Sequence, residues 1–202
     1  MDERVIIERA GRGDPDAFEE LVKTYEKMVY NLCLRMTDDR EEAFDLSQET
    51  FIKAWHAISL FKFESKFATW LSRIASNTCL DYLRKQKKRQ TVSLTMEDDE
   101  ENPVERLIAD DSTDPAALAE KSADREAVQK AFRELPDQDR LILSMRAIED
   151  MSYQEIADAL DMNVGTVKSR IARAREKIRH NLSGNFSENS ASIKGKGGAR
   201  QK

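Results

Sequence analysis

Apolar residues recur along most of this chain at the three- and four-residue spacing of an amphipathic helix. No stretch alternates in the two-residue pattern that is typical of a strand. Glycine and proline, the residues that interrupt helices most strongly, occur only 7 and 4 times in 202 residues. The pattern therefore predicts an all-α protein.

The charge distribution divides this helical chain into two modules. Residues 91–122 carry ten acidic and two basic side chains, with few large apolar residues, which is too little apolar material for a core. We predict two small helical domains at 1–90 and 122–182, an acidic flexible linker at 91–121, and a disordered basic tail at 183–202.

Several classes of protein fit this sequence poorly. No apolar run approaches the roughly 20 residues that cross a bilayer, and Met1–Arg4 lacks the pattern of a secretory signal. Cys33 and Cys79 have neither disulfide-framework nor metal-site spacing. His56 and His180 are the only histidines, and a phosphate-binding glycine loop is missing. The sequence predicts a cytoplasmic protein with no membrane insertion, cofactor, metal or catalytic residues.

Helix-start signals place four helices in the N-terminal domain. Asp14 precedes Pro15 as an N-cap precedes a first helical residue, and Asp38 with Glu41 forms a capping signature. The predicted helices cover about 3–10, 15–36, 38–59 and 67–89.

The C-terminal domain contains a pattern that predicts a helix-turn-helix. Ser152 and Glu155 form a capping-box signature before a short apolar helix, which a break at 161–163 separates from a longer helix beginning at Val164. Earlier breaks near Pro136 and at 149–150 give four short helices in this domain.

The longer of these helices has a core side and a basic side. The residues predicted to face the core are Val164, Val167, Ile171, Ala174, Ile178 and Leu182. The candidates for contact with a DNA major groove are Thr166, Lys168, Ser169, Arg170, Ala172 and Arg173.

The residue types in this list can contact bases in a DNA major groove. An arginine such as Arg173 has the donors for a bidentate bond to guanine, and Ala172 is small enough to contact a thymine methyl. Arg179, towards the side of the helix, is better placed for phosphates. A solvated basic helix with no ligand is the alternative, but the capped short helix before it favours DNA binding.

The helix at 67–89 also divides into two sides, and an aromatic-rich loop precedes it. The predicted core side contains Phe67, Leu71, Ile74, Ala75, Thr78 and Tyr82. The candidates for a surface that binds unpaired DNA, here called the single-strand surface, are Phe61, Phe63, Lys66, Trp70, Arg73, Asn77 and Arg84. Aromatic rings stack on unpaired bases with about 1–3 kcal/mol each. The alternative is that Phe61, Phe63 and Trp70 merely pack between helices.

The helix at 38–59 has a core side and an acidic side. The predicted core residues are Phe44, Phe51, Trp55 and Ile58. A second set recurs at helical spacing and is here called the docking face: Asp45, Gln48, Glu49 and Ile52. Such a face is usually only solvated, but it also suits a basic partner helix, with Ile52 as the apolar anchor.

Three segments resemble the extracytoplasmic-function group of bacterial RNA polymerase sigma factors. They are Asp45-Leu46-Ser47-Gln48-Glu49-Thr50-Phe51-Ile52-Lys53-Ala54-Trp55, Thr69-Trp70-Leu71 with Asn77, and Tyr153–Ala157 with Gly165–Arg170. The resemblance covers about residues 5–182 in the order and spacing of the family. Phe63 and Lys66 depart from the family's loop, which is often rich in glycine.

The resemblance implies a role for each surface. It implies that the docking face binds the clamp coiled coil of the polymerase β′ subunit. It also implies that residues 61–84 recognise and open the −10 element, with Phe61 and Asn77 at the positions for the extruded base. The implied −35 readers are Lys168, Ser169, Ala172 and Arg173.

The resemblance further implies partners beyond promoter DNA. These are core RNA polymerase, through its β′ clamp and β flap, and an anti-sigma factor that is membrane-anchored or soluble. The acidic linker would resemble the segment that threads the RNA-exit path of the polymerase.

Promoter recognition is therefore the predicted function, and a free-standing helix-turn-helix regulator is the alternative. Gly165–Lys168 also resembles the recognition helices of response-regulator output domains. That alternative leaves Trp70, Asn77 and the docking face unexplained. Promoter binding that requires core polymerase favours the first function, whereas tight operator binding by the pure protein favours the second.

Overall fold

The computed structural model describes residues 2–93, 126–148 and 150–194, and all regular structure within these ranges is helical. The prediction of an all-α fold is therefore confirmed. The elements are α1 (Glu3–Gly11), α2 (Pro15–Thr37), α3 (Arg40–Ala57), a 3-10 turn (Ile58–Leu60), α4 (Phe67–Ser93), α5 (126–133), α6 (Asp137–Ile148), α7 (Tyr153–Leu160) and α8 (Val164–Lys194). Most of the predicted acidic linker lies outside the described residues.

Two of the predicted helix starts are confirmed. The carboxylate of Asp14 accepts hydrogen bonds from the first backbone N–H groups of α2, and Pro15 is the first helical residue. At α7, the hydroxyl of Ser152 accepts from the N–H of Glu155, and the carboxylate of Glu155 accepts from the N–H of Ser152 at 2.8 Å. This reciprocal pair is a complete capping box.

The predicted cap of α3 is wrong by one residue. Asp39, not Asp38, caps this helix by accepting from the N–H groups of Glu41 and Glu42. Asp38 instead ends α2 in the left-handed region, with φ of 62°. Aspartate is among the few residues that tolerate that conformation, so two adjacent aspartates end one helix and start the next.

The predicted core side of α3 is also wrong at Phe44, which is 54% exposed. The buried stripe lies one position away and consists of Ala43, Leu46, Ser47, Thr50 and Ala54. Most of these side chains are small, so α3 packs closely against α2 and α4. The aromatic ring at position 44 is left on the adjacent, exposed side of the helix.

The helix α8 continues to Lys194, past the predicted end of the C-terminal domain at residue 182. No proline interrupts this segment, and adding residues to an existing helix costs far less than starting one. The rest of the predicted tail, 195–202, lies outside the described residues.

The two helical groups, α1–α4 (the N-terminal domain) and α5–α8 (the C-terminal domain), pack against each other. Helix α6 contacts α2 and α4, and α7 contacts α4. The contact buries a third side of α4, where Thr69, Ser72 and Ser76 are at most 3% exposed. The Ser76 hydroxyl lies 4.0 Å from the sulfur of Met145 on α6. Small side chains on α4 therefore allow α6 to approach closely.

Charged groups surround this contact between the domains. A guanidinium nitrogen of Arg140 donates to the carbonyl of Met36 at 2.8 Å, at the end of α2 where carbonyls lack helical partners. Burial lowers the pKa of Arg140 despite the nearby carboxylate of Asp137. Arg133 forms an ion pair with Asp38, the residue that ends α2. These contacts join the C-terminal domain to one end of α2.

Candidate nucleic-acid interface

The helix-turn-helix is formed by α7, α8 and the turn between them. Asp161 ends α7 in the left-handed conformation, with φ of 52°. The side chain of Asn163 accepts from the N–H of Gly165 at the start of α8. Val167 and Ile171, at 0% and 3% exposure, fix α8 on the core of the domain. The predicted breaks and the predicted core side of the helix agree with this arrangement.

The opposite side of α8 presents polar and basic side chains to solvent. Four of the predicted groove candidates are exposed and share this side, here called the groove face: Lys168, Ser169, Ala172 and Arg173. Thr166 is half-buried beside them, with its carbonyl bonded to the Ser169 hydroxyl at 3.0 Å. The groove face therefore presents several hydrogen-bond donors on one side of α8.

Arg170 occupies a different position from the other candidates. Its guanidinium is half-buried and forms an ion pair with Asp139 of α6 at 2.9 Å. This pair ties α8 to α6 within the C-terminal domain. In this structure Arg170 therefore orients the helix rather than extending the groove face.

The aromatic residues of the single-strand surface form one connected cluster. The ring of Phe61 lies 4.9 Å from Phe63, 5.3 Å from Trp70 and 5.7 Å from Phe67, measured between ring centroids. Phe67 is only 2% exposed and belongs to the core, whereas Phe63 is 37% exposed. Phe61 and Trp70 are half-buried. The rings pack against one another and still present aromatic area to solvent.

The polar members of the single-strand surface lie along the adjacent side of α4. Arg73, Asn77 and Arg84 are exposed. Arg84 forms an ion pair with Asp81, one helical turn away, at 2.7 Å. An amide and two cations therefore follow the aromatic cluster along one helix, as a stacked and charged strand requires.

Two cations of this surface contact acidic residues of the C-terminal domain. Lys66 forms an ion pair with Glu155 at 2.7 Å, and Arg73 approaches Asp161 at 4.0 Å. The hydrogen bond from Lys66, with that from the Ser152 backbone, lowers the pKa of Glu155 to about 2. The same pair raises the pKa of Lys66. The start and end of α7 therefore lie beside the single-strand surface.

The docking face on α3 is exposed at all four of its residues: Asp45, Gln48, Glu49 and Ile52. Ile52 is 59% exposed, so a large apolar side chain lies among the polar residues of this face. The exposed ring of Phe44 adds to this face and lines a shallow depression with Arg40, Glu41 and Asp45. The sequence analysis did not include Phe44 in the docking face, because an aromatic residue at helical spacing normally indicates a core position.

The described residues do not form a metal site or a membrane span. Among them, no group of histidine, cysteine and acidic side chains is arranged to hold a metal ion. No helix in the same ranges combines the length and apolarity needed to cross a bilayer.

A helix-turn-helix with an exposed basic helix, joined to a second surface of stacked rings and cations, defines a DNA-recognition protein. Comparison with known proteins specifies its family. Residues 21–89 match the family model "Sigma-70 region 2", and residues 125–178 match "Sigma-70, region 4".

Relatives of known identity match over most of the chain. It is 35% identical to the ECF RNA polymerase sigma factor SigW of Bacillus subtilis, covering 87% of this chain and 94% of that protein. It is 38% identical to the RNA polymerase sigma-H factor of Pseudomonas aeruginosa, covering 86% and 90%. CnrH, solved in complex with the cytosolic domain of CnrY, superposes with a TM-score of 0.64 at 26% identity, covering 90% and 97%. The chain belongs to the extracytoplasmic-function sigma factors of the sigma-70 family.

Proposed function

We propose that this sigma factor directs core RNA polymerase to promoters by binding two states of DNA with two separate surfaces. The groove face of α8 binds duplex DNA at the −35 element, and the single-strand surface binds the unpaired −10 strand. The observation that carries the proposal is that each domain presents one exposed surface whose chemistry suits one of these states. The protein makes and breaks no covalent bonds, and it acts in the cytoplasm with the polymerase.

At the −35 element, the position of each residue on α8 determines whether it contacts a base or a phosphate. Arg173 and Lys168 reach base edges from the two sides of the groove face, with Ser169 and Ala172 between them. Arg179, which is exposed and paired with Glu176, lies near the middle of α8, farther along the helix than the groove face, and contacts phosphates. Arg170 does not contact DNA but holds α8 in this orientation through its ion pair with Asp139 of α6.

At the −10 element, the aromatic cluster captures bases that leave the duplex. Extruding a base costs a few kcal/mol, and each ring that stacks on it returns about 1–3 kcal/mol. Phe61 and Trp70 provide that stacking, and Asn77 provides an amide that hydrogen-bonds a base edge. Binding the unpaired strand in this way favours the open promoter.

The contact between the two domains makes the single-strand surface less able to bind DNA. Glu155 and Asp161 neutralise Lys66 and Arg73, which an unpaired strand needs for its phosphates. The groove face and the docking face lie outside the contact between the domains, since their residues are exposed. Full use of the single-strand surface therefore requires α7 to move away from α4.

The docking face, with Phe44 beside it, binds the β′ clamp of core polymerase, and the C-terminal domain contacts the β flap. CnrH was solved in complex with the cytosolic domain of CnrY, and this chain covers nearly all of CnrH. By that similarity a partner protein binds this chain, and the family resemblance implies that this partner is an anti-sigma factor that holds the chain inactive.

Transcription with core polymerase that lacks its own sigma factor tests the proposal. The wild-type chain directs specific initiation there, and Arg173→Ala lowers affinity for a preferred −35 site by about 1–3 kcal/mol while reducing discrimination at one base. Arg179→Ala, the matched control, weakens all sequences alike. Equal losses on matched and scrambled −35 DNA for Arg173→Ala exclude base reading by this residue. Tight duplex binding without polymerase indicates a free-standing regulator instead.

A further inference from the structure

The two cysteines of this chain meet in the core of the N-terminal domain. Cys33 on α2 and Cys79 on α4 are separated by 46 positions in the sequence, and their sulfur atoms lie 3.6 Å apart. Both residues are 0% exposed. Because the chain has no other cysteine, the fold places its only two thiols in contact. A disulfide bond requires a sulfur separation of about 2.05 Å, so a shift of roughly 1.5 Å brings the two atoms to bonding distance.

Cys79 lies on α4 at the boundary between the domain core and the side that the C-terminal domain covers. It follows Ser76 by three positions and Ser72 by seven, which is helical spacing, so it continues the buried stripe of small side chains. At this stripe the Ser76 hydroxyl contacts the sulfur of Met145 on α6. Movement of α6 away from α4 therefore brings solvent to the side of α4 that carries Cys79.

The C-terminal domain also places a cation beside the two thiols. Burial lowers the pKa of Arg140 on α6, and the charges of Asp137 and Cys79 oppose this shift, so the guanidinium lies close enough to Cys79 for their charges to interact. The same guanidinium donates to the carbonyl of Met36, one helical turn after Cys33 on α2. Arg140 therefore covers the thiol pair in the packed arrangement of the domains.

We infer that Cys33 and Cys79 form a redox site, which a peroxide oxidises to a disulfide when the C-terminal domain moves away from α4. The inference rests on the separation of the domains in the proposed function and adds a covalent modification to it. In the packed arrangement the thiols are shielded, because both are buried and α6 contacts α2 and α4. Disulfides in the cytoplasm are usually transient and redox-sensing, which suits a site that becomes accessible in only one state of the protein.

The oxidation consumes one hydrogen peroxide and releases two water molecules. The Cys79 thiolate attacks one peroxide oxygen, the O–O bond breaks, and the departing hydroxide takes the proton that the thiol has lost, which leaves a sulfenic acid. The Cys33 sulfur then attacks the Cys79 sulfur, and the S–O bond breaks as the S–S bond forms. The second hydroxide takes the proton of Cys33. Each sulfur is oxidised by one electron, and both electrons reduce the peroxide.

The disulfide ties α2 to α4 and closes a loop between positions 46 apart in the sequence. Such a cross-link stabilises a domain mainly by restricting its unfolded chain, and the effect grows with the length of the loop. Because α4 carries the single-strand surface, the disulfide holds this helix on its domain after the contact with α6 is lost. The oxidised chain therefore has a higher thermal unfolding temperature than the reduced chain.

The experiment exposes the full chain to hydrogen peroxide and measures the loss of two hydrogen atoms by intact-mass spectrometry, after unreacted thiols are alkylated in denaturant. Ser144→Lys places a charge on the buried side of α6 and separates the domains, whereas Ala147→Lys adds the same charge on the exposed side as the matched control. The disulfide forms roughly tenfold faster or more in Ser144→Lys than in wild type, because its rate follows the fraction of separated molecules. Ala147→Lys reacts at the wild-type rate.

A second variant opens the same contact by a different route. Arg140→Glu sets a carboxylate against the Met36 carbonyl and beside Asp137, and it accelerates disulfide formation in the same way. The order of attack is tested with alanine variants in the Ser144→Lys background. Cys33→Ala leaves a sulfenic acid on Cys79 that dimedone labels, whereas Cys79→Ala is not labelled.

Three results would overturn the inference. They are equal rates of disulfide formation in wild type and in both variants that open the contact, oxidation of the separated chain without loss of two hydrogen atoms, and an oxidised chain with a lower unfolding temperature than the reduced chain. Transcription with core polymerase tests the proposed function separately. If the wild type directs initiation and the opened variants form no disulfide, the inference fails and the proposed function stands. If they form the disulfide and the wild type does not direct initiation, the proposed function fails alone.

Discussion

The contact between the two domains predicts that a charge on the inner side of α6 separates them. Ser144 is 1% exposed and lies one helical turn after Arg140, on the side of α6 that faces α2. Its hydroxyl donates to the Arg140 carbonyl at 2.9 Å, so it adds no bond between the domains. Ser144→Lys places a second cation beside a buried guanidinium.

The size of the effect follows from this geometry. Side chains one helical turn apart have Cβ atoms about 5–6 Å apart, and two like charges about 6 Å apart repel by roughly 3 kcal/mol at an effective dielectric constant near 20. The cost of removing the ammonium from water adds to this value. About 3 kcal/mol changes the ratio of packed to separated domains by roughly 150-fold. Lysine is a better helix former than serine, so α6 itself is not weakened.

Small-angle X-ray scattering of the full chain measures the separation as a larger radius of gyration. Affinity of the free protein for a single-stranded oligonucleotide rises with it, because Lys66 and Arg73 lose their acidic partners. Ala147→Lys, on the exposed side of α6, adds the same charge and changes neither the radius nor the affinity beyond a general charge effect. Equal radii for the two variants would refute the reasoning, and so would loss of the helical circular dichroism signal in Ser144→Lys alone.

Two further predictions concern the docking face and the capping box. Ile52→Ala lowers affinity for core polymerase about tenfold or more without changing the thermal unfolding temperature, because Ile52 is 59% exposed and serves as an anchor. Glu155→Gln keeps the capping box but removes the ion pair with Lys66, so the variant is less stable than wild type at neutral pH. Because the pKa of Glu155 is lowered from 4.5 to about 2, this advantage of the wild type is complete above pH 4.5 and disappears as the pH falls towards 2.

Each of these predictions has a control and a contradicting result. Val5→Ala removes a comparably exposed apolar side chain from α1, and if it weakens polymerase binding as much as Ile52→Ala, the docking face is not specific. For Glu155, stability is measured by urea unfolding across the pH range. If the difference in free energy of unfolding between wild type and Glu155→Gln stays constant down to pH 2, the carboxylate of Glu155 does not act through its charge.

Local sequence signals predicted most of the fold. The capping box at Ser152 and Glu155, the break at 161–163 and the periodicity of α8 all depend on contacts within a few residues, so the helix-turn-helix was predictable. The groove face followed because a core side at helical spacing leaves its opposite side exposed. Asp38 was misassigned because two adjacent aspartates both suit a helix end, and only the path of the backbone distinguishes them.

By itself the sequence determined the all-α class, the helices and the chemistry of the three surfaces, because those depend on residue type and short-range spacing. The tertiary structure alone decided which polar side of α4 is buried: Thr69, Ser72 and Ser76 have the composition of a solvated stripe and instead lie under the C-terminal domain. It also decided that Arg170 pairs with Asp139, 31 positions away in the chain, and that Phe44 is exposed. These features result from contacts between residues distant in the chain, which no local pattern encodes.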